Sequence, residues 1–223
     1  MAKKKAFYPS MMCADFSNLA EETVQLSATD IAGLHIDIMD GTFVPNFGMS
    51  PEDMLAISKN TDQVLDVHLM INHPENYVDL FFALGANRIN IHPETTSDPI
   101  RVLRQIAEKG LETGVAISPG TSIETVSELL KIADYALIMT VTPGFSGQTY
   151  LEFVNDKIKK LQTLKKMYSF KVVADGALSP ARIQQLSNIG VDGFILGTSA
   201  LFQKNLPYST IIANLHRCQE AEC

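Results

Sequence analysis

The chain has 223 residues, of which 46% are hydrophobic and 19% charged, with no tryptophan, and this is the composition of an ordinary globular protein. Its net charge of −7 and pI near 5.2 argue against a general nucleic-acid-binding protein, although a locally positive site could still bind an anionic substrate. No apolar run approaches the roughly 18 residues of a membrane span, and the opening MAKKK lacks the apolar stretch of a signal peptide.

Short apolar runs rich in β-forming residues recur along the whole chain and predict eight strands. They lie at 6–10, 33–38, 64–69, 88–92, 113–118, 135–141, 170–174 and 191–196. The segments between them have a helical period. In 153–165, for example, apolar residues repeat at spacings of four, three and three: Val154, Ile158, Leu161 and Leu164.

Polar caps mark the starts of several predicted helices. Ser50 and Ser179 each precede a proline, which places a capping residue before a proline at the first helical position. Thr121 and Glu124 have the spacing of a capping box, which predicts a helix after Thr121. No low-complexity segment or linker divides the chain, so we expect residues 1–223 to form one domain.

Eight strands that alternate with helices over this length predict a single (β/α)₈ TIM barrel of the α/β class. A doubly wound open sheet is the structural alternative. Its dinucleotide-binding form is disfavoured, because no G-x-G-x-x-G follows the first strand.

Polar side chains stand at the predicted ends of three strands. His35 and Asp37 end the second strand, His68 the third and Asp175 the seventh. Each alone is a common core histidine or loop cap, but in a barrel the four would converge at the carboxyl-terminal mouth, where active sites lie. Two imidazoles and two carboxylates suit a divalent metal ion, whose charge would keep buried carboxylates ionised.

Four further polar residues lie close to these strand ends. Asp66 shares a face with His68 deeper in the third strand, where a supporting or core-polar role is expected. His92 and Glu94 follow the fourth strand, and we expect them to support the site or cap a loop. Asp40 is expected to cap the loop after the second strand.

Glycines cluster after the last three predicted strands, in 143–148, 175–177 and 197–199. Loops after strands 7 and 8 of a barrel usually bind phosphate through backbone N–H groups and a helix N-terminus. One such loop is equally an ordinary strand-to-helix turn, whereas three neighbouring ones favour a phosphate. None contains lysine or arginine, so binding would depend on N–H groups rather than on full charges.

The order and combination of seven sequence blocks resemble the ribulose-phosphate 3-epimerase family over essentially the full chain. The blocks are PSMMCADF, HIDIMDGTFVPN, HLM, HPE, MTVTPGFSGQ, ADGA and GTSALF. The resemblance implies a (β/α)₈ barrel that interconverts ketose phosphates epimeric at C3 and uses one divalent metal ion. The residues do not distinguish zinc, iron, manganese, cobalt or magnesium.

Matched position by position, the resemblance also implies site residues. The metal ligands would be His35, Asp37, His68 and Asp175. Asp37 and Asp175 would in addition be the catalytic acid/base pair. Substrate and phosphate would be bound by Ser10, His68, Gly144, Phe145, Ser146, Gly147, Gly176, Ala177, Gly197 and Thr198, with Met39, Met70 and Met139 lining the site.

Inverting a carbon beside a ketone requires a proton to leave one face and another to arrive on the opposite face. Asp37 and Asp175 belong to the second and seventh strands, which lie across an eight-stranded ring from each other and could hold a substrate between them. A metal that binds both oxygens of the enediolate would stabilise its charge, and it would tune one carboxylate to be protonated and the other ionised.

Two family branches compete for the substrate. The blocks PSMMC, HPET and GTSALF are closer to D-allulose-6-phosphate 3-epimerases than to D-ribulose-5-phosphate enzymes. Thr142 stands where Asn or Asp is usual, and Ala177 replaces the second glycine of a common DGG. If that position needs a positive φ, Ala177 would be strained.

Two other functions are weighed against the epimerase. A lyase or decarboxylase on a related phosphate-binding barrel would need a D-x-K-x-x-D motif, which the sequence lacks. A non-catalytic sugar-phosphate-binding paralogue is disfavoured by the intact ligand positions.

The cysteines and surface indicate the setting of the protein. Three cysteines, Cys13, Cys218 and Cys223, have no C-x-x-C spacing and fit a reducing compartment, so we expect a cytoplasmic protein. Its expected partner is a small sugar phosphate, without nucleic acid or membrane. Exposed helix faces leave room for a homo-oligomer.

Overall fold

The computed structural model describes residues 4–202 and 205–220, and these contain eight parallel strands. The strands are β1 (Ala6–Pro9), β2 (Leu34–Met39), β3 (Leu65–Met70), β4 (Arg88–Ile91), β5 (Glu112–Ile117), β6 (Tyr135–Met139), β7 (Lys171–Asp175) and β8 (Gly193–Leu196). All eight predicted strands are confirmed, with ends that move by no more than two residues.

The strands form a nearly closed ring in the order β1-β8-β7-β6-β5-β4-β3-β2. The remaining gap between β1 and β2 is spanned by a parallel bridge from Ser10 to His35. Beside it, the Ala32 N–H donates to the Phe7 carbonyl over 2.9 Å. The predicted (β/α)₈ barrel is therefore confirmed, and the open-sheet alternative is wrong.

Helices follow the strands around the outside of the ring. They are α1 (Leu19–Ser27), α2 (Pro51–Ser58), α3 (Val78–Ala83), α4 (Pro99–Glu108), α5 (Ile123–Val126), α6 (Val154–Lys165), α7 (Pro180–Ile189) and α8 (Tyr208–Glu220). Helix α6 matches the period predicted for 153–165. Short 3₁₀ helices occur at Met11–Cys13, Phe16–Asn18, Pro74–Asn76, Pro93–Thr95 and Leu129–Lys131. Within the described ranges, no helix has the length and apolar character needed to cross a lipid bilayer.

Two of the three predicted helix caps are confirmed. Ser50 and Ser179 accept the N–H groups of Asp53 and Arg182, each over 3.2 Å. The capping box at Thr121 is wrong, because α5 begins one residue later, with Ser122 as its cap. The Thr121 hydroxyl instead contacts the carboxylate of Glu94, and a side chain distant in sequence thus competes with the local cap.

Alternate residues of each strand face either the helices or the barrel interior. The positions that face the helices are apolar and fully buried, as in Ile36, Val67 and Ile89. Interior positions divide the barrel in two. On β2, β3 and β4 most are polar, namely His35, Asp37, Asp66, His68, Arg88 and Asn90, with Met39 and Met70 as the apolar exceptions at the mouth. On β1 and β5–β8 most are apolar: Tyr8, Ala116, Tyr135, Leu137, Met139, Val173 and Ile195. Buried polar side chains are thus concentrated on one wall of the barrel.

Candidate active site

Four side chains predicted from separate strand ends meet at the carboxyl-terminal mouth of the barrel. One ligand atom from each of His35, Asp37, His68 and Asp175 lies within 4.8 Å of all the others. The β2–β3 register pairs Asp37 directly with His68 and, two residues earlier on each strand, His35 with Asp66. The ladder between these two strands therefore determines which polar side chains share a level.

Two nitrogen atoms at this cluster are buried and have no hydrogen-bond partner. They are Nε2 of His35 and Nδ1 of His68, which lie 3.3 and 3.4 Å from Oδ1 of Asp37. Buried polar atoms in folded proteins are seldom left unpaired. Two imidazole nitrogens and a carboxylate oxygen that converge in this way are the donor set of a zinc, iron, manganese or cobalt site. The residues present therefore fit a divalent metal ion.

The far nitrogen of each histidine is held by another buried side chain. Nδ1 of His35 lies 2.8 Å from Oδ2 of Asp66, whose other oxygen accepts the amide of Asn90 over 2.7 Å. Nε2 of His68 lies 2.9 Å from Nε2 of His92. Metal-binding histidines usually have such a partner, which orients the ring. The structure thus places Asp66 and His92 where the sequence predicted supporting residues.

The two carboxylates of the cluster have opposite pKa shifts. Burial, followed by the charge of Asp37, raises the pKa of Asp175 to about 6. Burial also opposes ionisation of Asp37, but the neighbouring rings of His35 and His68 overcome it and hold the pKa of Asp37 well below its usual range. Oδ2 of Asp37 in addition accepts the Ser10 hydroxyl over 2.6 Å. The carboxylate of Asp37 is thus set to accept a proton, and that of Asp175 is set to hold one.

The charge around His35 also favours a bound cation. Burial lowers the pKa of this imidazole, but the carboxylates of Asp37 and Asp66 on its two sides raise that pKa well above its usual value. In the protonated ring, the proton on Nε2, which faces Asp37, occupies the position that a metal ion would take. Binding a metal at His35 would therefore release a proton.

A cavity above the cluster brings together nearly all the residues predicted to bind substrate or phosphate. Its lining includes Ser10, Met39, Met70, Met139, Gly144, Phe145, Ser146, Gly147, Gly176, Ala177, Gly197 and Thr198. His68 does not line this cavity, because its ring is fully buried below the mouth. Among the described residues that line the cavity, none is lysine or arginine.

The loop after β7 has a backbone that only small residues tolerate. Gly176 has φ of 111°, and a Cβ built there would lie 2.5 Å from Cγ2 of Val141. The next residue, Ala177, also has a positive φ, of 48°. A side chain in this left-handed region costs roughly 1–2 kcal/mol. Ala177 is therefore the strained residue that the sequence pattern raised as one outcome.

The loop after β8 differs from the expected anion-binding helix. Helix α8 begins only at Tyr208, and Gly197 is followed by a turn. The N–H groups of Ala200 and Leu201 donate to the Gly197 carbonyl over 3.3 and 3.0 Å. These bonds close a single turn after β8, so among the described residues no regular helix begins directly after this strand, and the phosphate-binding role of the loop stays a prediction.

Two further polar residues, Asp40 and Thr142, form hydrogen bonds in the loops after β2 and β6. Asp40 accepts the N–H groups of Thr42, Phe43 and Asn72, so it caps the loop after β2 as predicted. Thr142 is exposed, and its carbonyl accepts the Gln148 side chain over 2.6 Å.

Among the residues at the mouth that were not predicted as site residues, three make contacts that bear on the site. Thr140 donates its N–H and its hydroxyl to the Asp175 carbonyl over 2.7 and 2.9 Å, which fixes the end of β7. The Asn46 amide donates to the Gly144 carbonyl over 2.7 Å and joins the loops after β2 and β6. Cys13 lines the cavity. All three lie in the resembling blocks, which is the only sequence signal that could have found them.

Comparison with known proteins assigns the family. The sequence model of the Ribulose-phosphate 3 epimerase family matches residues 6–202. The chain belongs to the ribulose-phosphate 3-epimerase family. It is therefore a carbohydrate epimerase, an enzyme of the isomerase class that acts on a sugar phosphate.

Individual relatives agree with this assignment. The epimerase is 36% identical to the ribulose-phosphate 3-epimerase of Synechocystis sp. over 100% of this chain and 97% of that protein. It is 35% identical to the enzyme of the same name from Rhodobacter capsulatus, over 85% of this chain and 83% of that one. The names of these relatives support neither a lyase nor a non-catalytic binding protein.

A solved structure gives the same fold at low identity. KGPDC from Streptococcus mutans superposes with a TM-score of 0.73 at 12% identity, covering 96% of the epimerase and 98% of that chain. At this identity the likeness concerns the barrel fold alone.

Proposed function

We propose that this protein, as one barrel domain, is a metal-dependent ketose-phosphate 3-epimerase that transfers the C3 proton with Asp37 and Asp175. One observation carries the proposal: two carboxylates with opposite pKa shifts meet beside two unpartnered histidine nitrogens. Pairs of titratable groups whose environments separate their pKa values are typical of acid/base catalysis.

The two carboxylates supply the two faces that an epimerisation needs. Asp37 belongs to β2 and Asp175 to β7, on two sides of the barrel mouth, and both side chains line the cavity between these strands. The ionised carboxylate removes the C3 proton, and the protonated one delivers a proton to the opposite face. In the reverse direction the roles exchange. The Ser10 hydroxyl holds Oδ2 of Asp37 in place while the proton moves.

A divalent metal ion would be held by His35, Asp37, His68 and Asp175. When bound, it would stabilise the negative charge that develops on the sugar oxygens as the proton leaves C3. The two imidazole nitrogens favour zinc, iron or cobalt over magnesium, and the two carboxylates also suit manganese. Met39, Met70 and Met139 line the same cavity and exclude water without competing for hydrogen bonds.

The sugar phosphate would be held at the other side of the cavity. Its lining there consists of the loops 143–148, 176–178 and 197–199. Small residues let backbone N–H groups approach the phosphate closely, which replaces the missing lysine or arginine with oriented dipoles.

D-ribulose 5-phosphate is the substrate that the names of the relatives favour, since one of them, from Arabidopsis thaliana, is a ribulose-5-phosphate-3-epimerase. D-allulose 6-phosphate is the second candidate, since Cys13 of the PSMMC block, which resembles that branch, lines the cavity.

The test follows the C3 proton of each sugar phosphate by NMR in D₂O, with protein stripped of metal and then reloaded with Zn²⁺, Mn²⁺, Fe²⁺ or Co²⁺. We expect exchange of the C3 proton and formation of the C3 epimer from D-ribulose 5-phosphate, in the reloaded protein only. Exchange with D-allulose 6-phosphate alone would favour the second candidate. Exchange with neither sugar, under any metal, would contradict the proposal.

A further inference from the structure

His92 lies just after β4 and makes an unusual contact with another histidine. Its ring meets that of His68 edge to edge, with centroids 5.0 Å apart and planes inclined by 30°. The two Nε2 atoms are 2.9 Å apart, and both side chains are fully buried. A contact this short between ring nitrogens requires one N–H and one lone pair. Exactly one of the two rings therefore carries a proton at this contact.

With both rings neutral, two proton arrangements satisfy that contact. In the first, His68 donates from Nε2, and neutral His92 carries its own proton on Nδ1. In the second, His92 donates from Nε2, and neutral His68 carries its proton on Nδ1. Only the first leaves a lone pair on Nδ1 of His68, facing the centre of the cluster.

The surroundings favour the first arrangement at both ends. At Nδ1 of His68, the nearest acceptor is Oδ1 of Asp37 at 3.4 Å, and no hydrogen bond forms. A proton there would be a buried donor without a partner. At Nδ1 of His92, Oγ of Ser118 lies 3.1 Å away and Oε2 of Glu94 lies 3.9 Å away. A proton on Nδ1 of His92 would therefore have a hydrogen-bond acceptor and a nearby negative charge.

The acceptor Ser118 is itself held in place. The ammonium group of Lys157, on α6, donates to the carbonyls of Ser118, Pro119 and Thr121 in the loop after β5. On its other side, the ring of His92 contacts that of Phe43, with centroids 4.8 Å apart. His92 is thus fixed by its neighbours, and its contact with His68 does not depend on a mobile group.

We propose that His92 is a positioning residue, which with Ser118 fixes His68 as its Nε2–H tautomer and presents the Nδ1 lone pair to the metal ion. This role of His92 adds a residue to the proposed metal site, and its function rests on the proposed function. It assigns His68 a neutral partner, in contrast to the carboxylate of Asp66 that holds His35.

The first test reads the tautomers directly in metal-free protein. The chain has five histidines, so long-range ¹H–¹⁵N NMR of ¹⁵N-histidine-labelled protein gives five ring patterns, assigned by single substitutions. We expect His68 to carry its proton on Nε2 and His92 on Nδ1. A proton on Nδ1 of His68, or a proton on Nε2 of His92, would overturn the proposal, whatever metal the protein binds.

The second test measures Co²⁺ binding from the visible absorption of the ion. His92→Leu removes the acceptor, and we expect binding to weaken about 10–100-fold, as for other partners of metal-binding histidines. His92→Gln keeps an amide oxygen for His68 and an N–H for Ser118, and should restore most of the affinity. Ser118→Ala should give an intermediate loss.

His73→Asn is the matched control, because His73 is an exposed histidine with φ of 56°, a conformation that asparagine tolerates. It should bind Co²⁺ like the wild type. Equal affinity in His92→Leu and wild type would overturn the role of His92 alone. If wild-type protein bound no Co²⁺, the proposed metal site itself would be contradicted. The NMR experiment and the Gln variant keep the inference testable should His92→Leu fail to fold.

Discussion

Both ends of the barrel interior contain buried charged groups, but only at the amino-terminal end are these groups fully paired within the chain. At the amino-terminal end, the Arg88 guanidinium bonds Glu112 over 3.0 Å, lies 3.5 Å from Asp66 and stacks 3.3 Å above the centre of the Tyr135 ring. At the mouth, by contrast, His35 and His68 each leave one buried nitrogen without a partner.

The difference separates structural charge from functional charge. A buried ion whose partners all lie in the chain contributes to the fold, whereas unpaired atoms that converge on one point indicate a ligand that the chain does not supply. Asp66 joins the two ends, because one oxygen faces Arg88 and Asn90 and the other faces His35. Burial and the charges of Arg88 and His35 act against each other there, and the charges hold the pKa of Asp66 at about 2.

The largest expected effect is on catalysis at the mouth. Asp175→Asn removes one of the two proton-transfer groups, so kcat/KM should fall about 10³-fold or more. Glu112→Gln makes the same chemical change at the other end of the barrel and should leave kcat/KM within about twofold of wild type. Steady-state kinetics of both variants, with circular dichroism to check folding, measure the contrast. Full activity in Asp175→Asn would refute the two-base assignment.

The next effect is on stability at the amino-terminal end. Arg88→Met leaves the carboxylate of Asp66, 1% exposed, with His35 as its remaining cationic partner, and should lower the free energy of unfolding by about 3–5 kcal/mol. Urea denaturation measures this loss. Arg101→Met, at an exposed position on α4, is the control and should change stability by less than about 0.5 kcal/mol. Similar stability in the two variants would mean that the Arg88 network contributes little to the fold.

Much of the fold could be predicted from the sequence because its signals are local. Apolar runs placed all eight strands, and serine before proline placed two helix starts. The cap at Thr121 failed because its partner, Glu94, is 27 residues away, and no local pattern reports such a contact. The same reasoning applies to Asn46, whose contact with Gly144 spans 98 residues.

The site was predictable to the extent that a barrel brings strand ends together. That rule alone places His35, Asp37, His68 and Asp175 at one mouth. It does not reveal which nitrogen of each ring faces inward, since this depends on Asp66 and His92 on neighbouring strands. Nor does the sequence alone determine the φ of Ala177, which depends on how the loop after β7 closes.

A smaller effect should appear in the pH dependence of metal-free protein. Since folding raises the pKa of Asp175 to about 6, the stability associated with this group is fully present below its unfolded pKa and is lost as pH rises through about 6. The asparagine of Asp175→Asn does not titrate, so the variant does not lose this stability as pH rises. The free energy of unfolding of the variant, relative to wild type, should therefore increase by about 1–3 kcal/mol between pH 4 and pH 7. Urea denaturation at both pH values measures it, and a difference that stays constant would show that Asp175 is not perturbed.

The smallest effect tests whether the mouth also stores backbone strain. Ala177→Gly relieves a left-handed conformation worth roughly 1–2 kcal/mol, against about 0.5–1 kcal/mol of added chain entropy in the unfolded state. We therefore expect the free energy of unfolding to stay level or rise by up to about 1.5 kcal/mol. Ala213→Gly, exposed in the middle of α8, has no strain to relieve and should lose about 1 kcal/mol in the same urea titration. Equal losses in the two variants would mean that Ala177 adopts its positive φ at no cost, and that the loop after β7 stores no backbone strain at this residue.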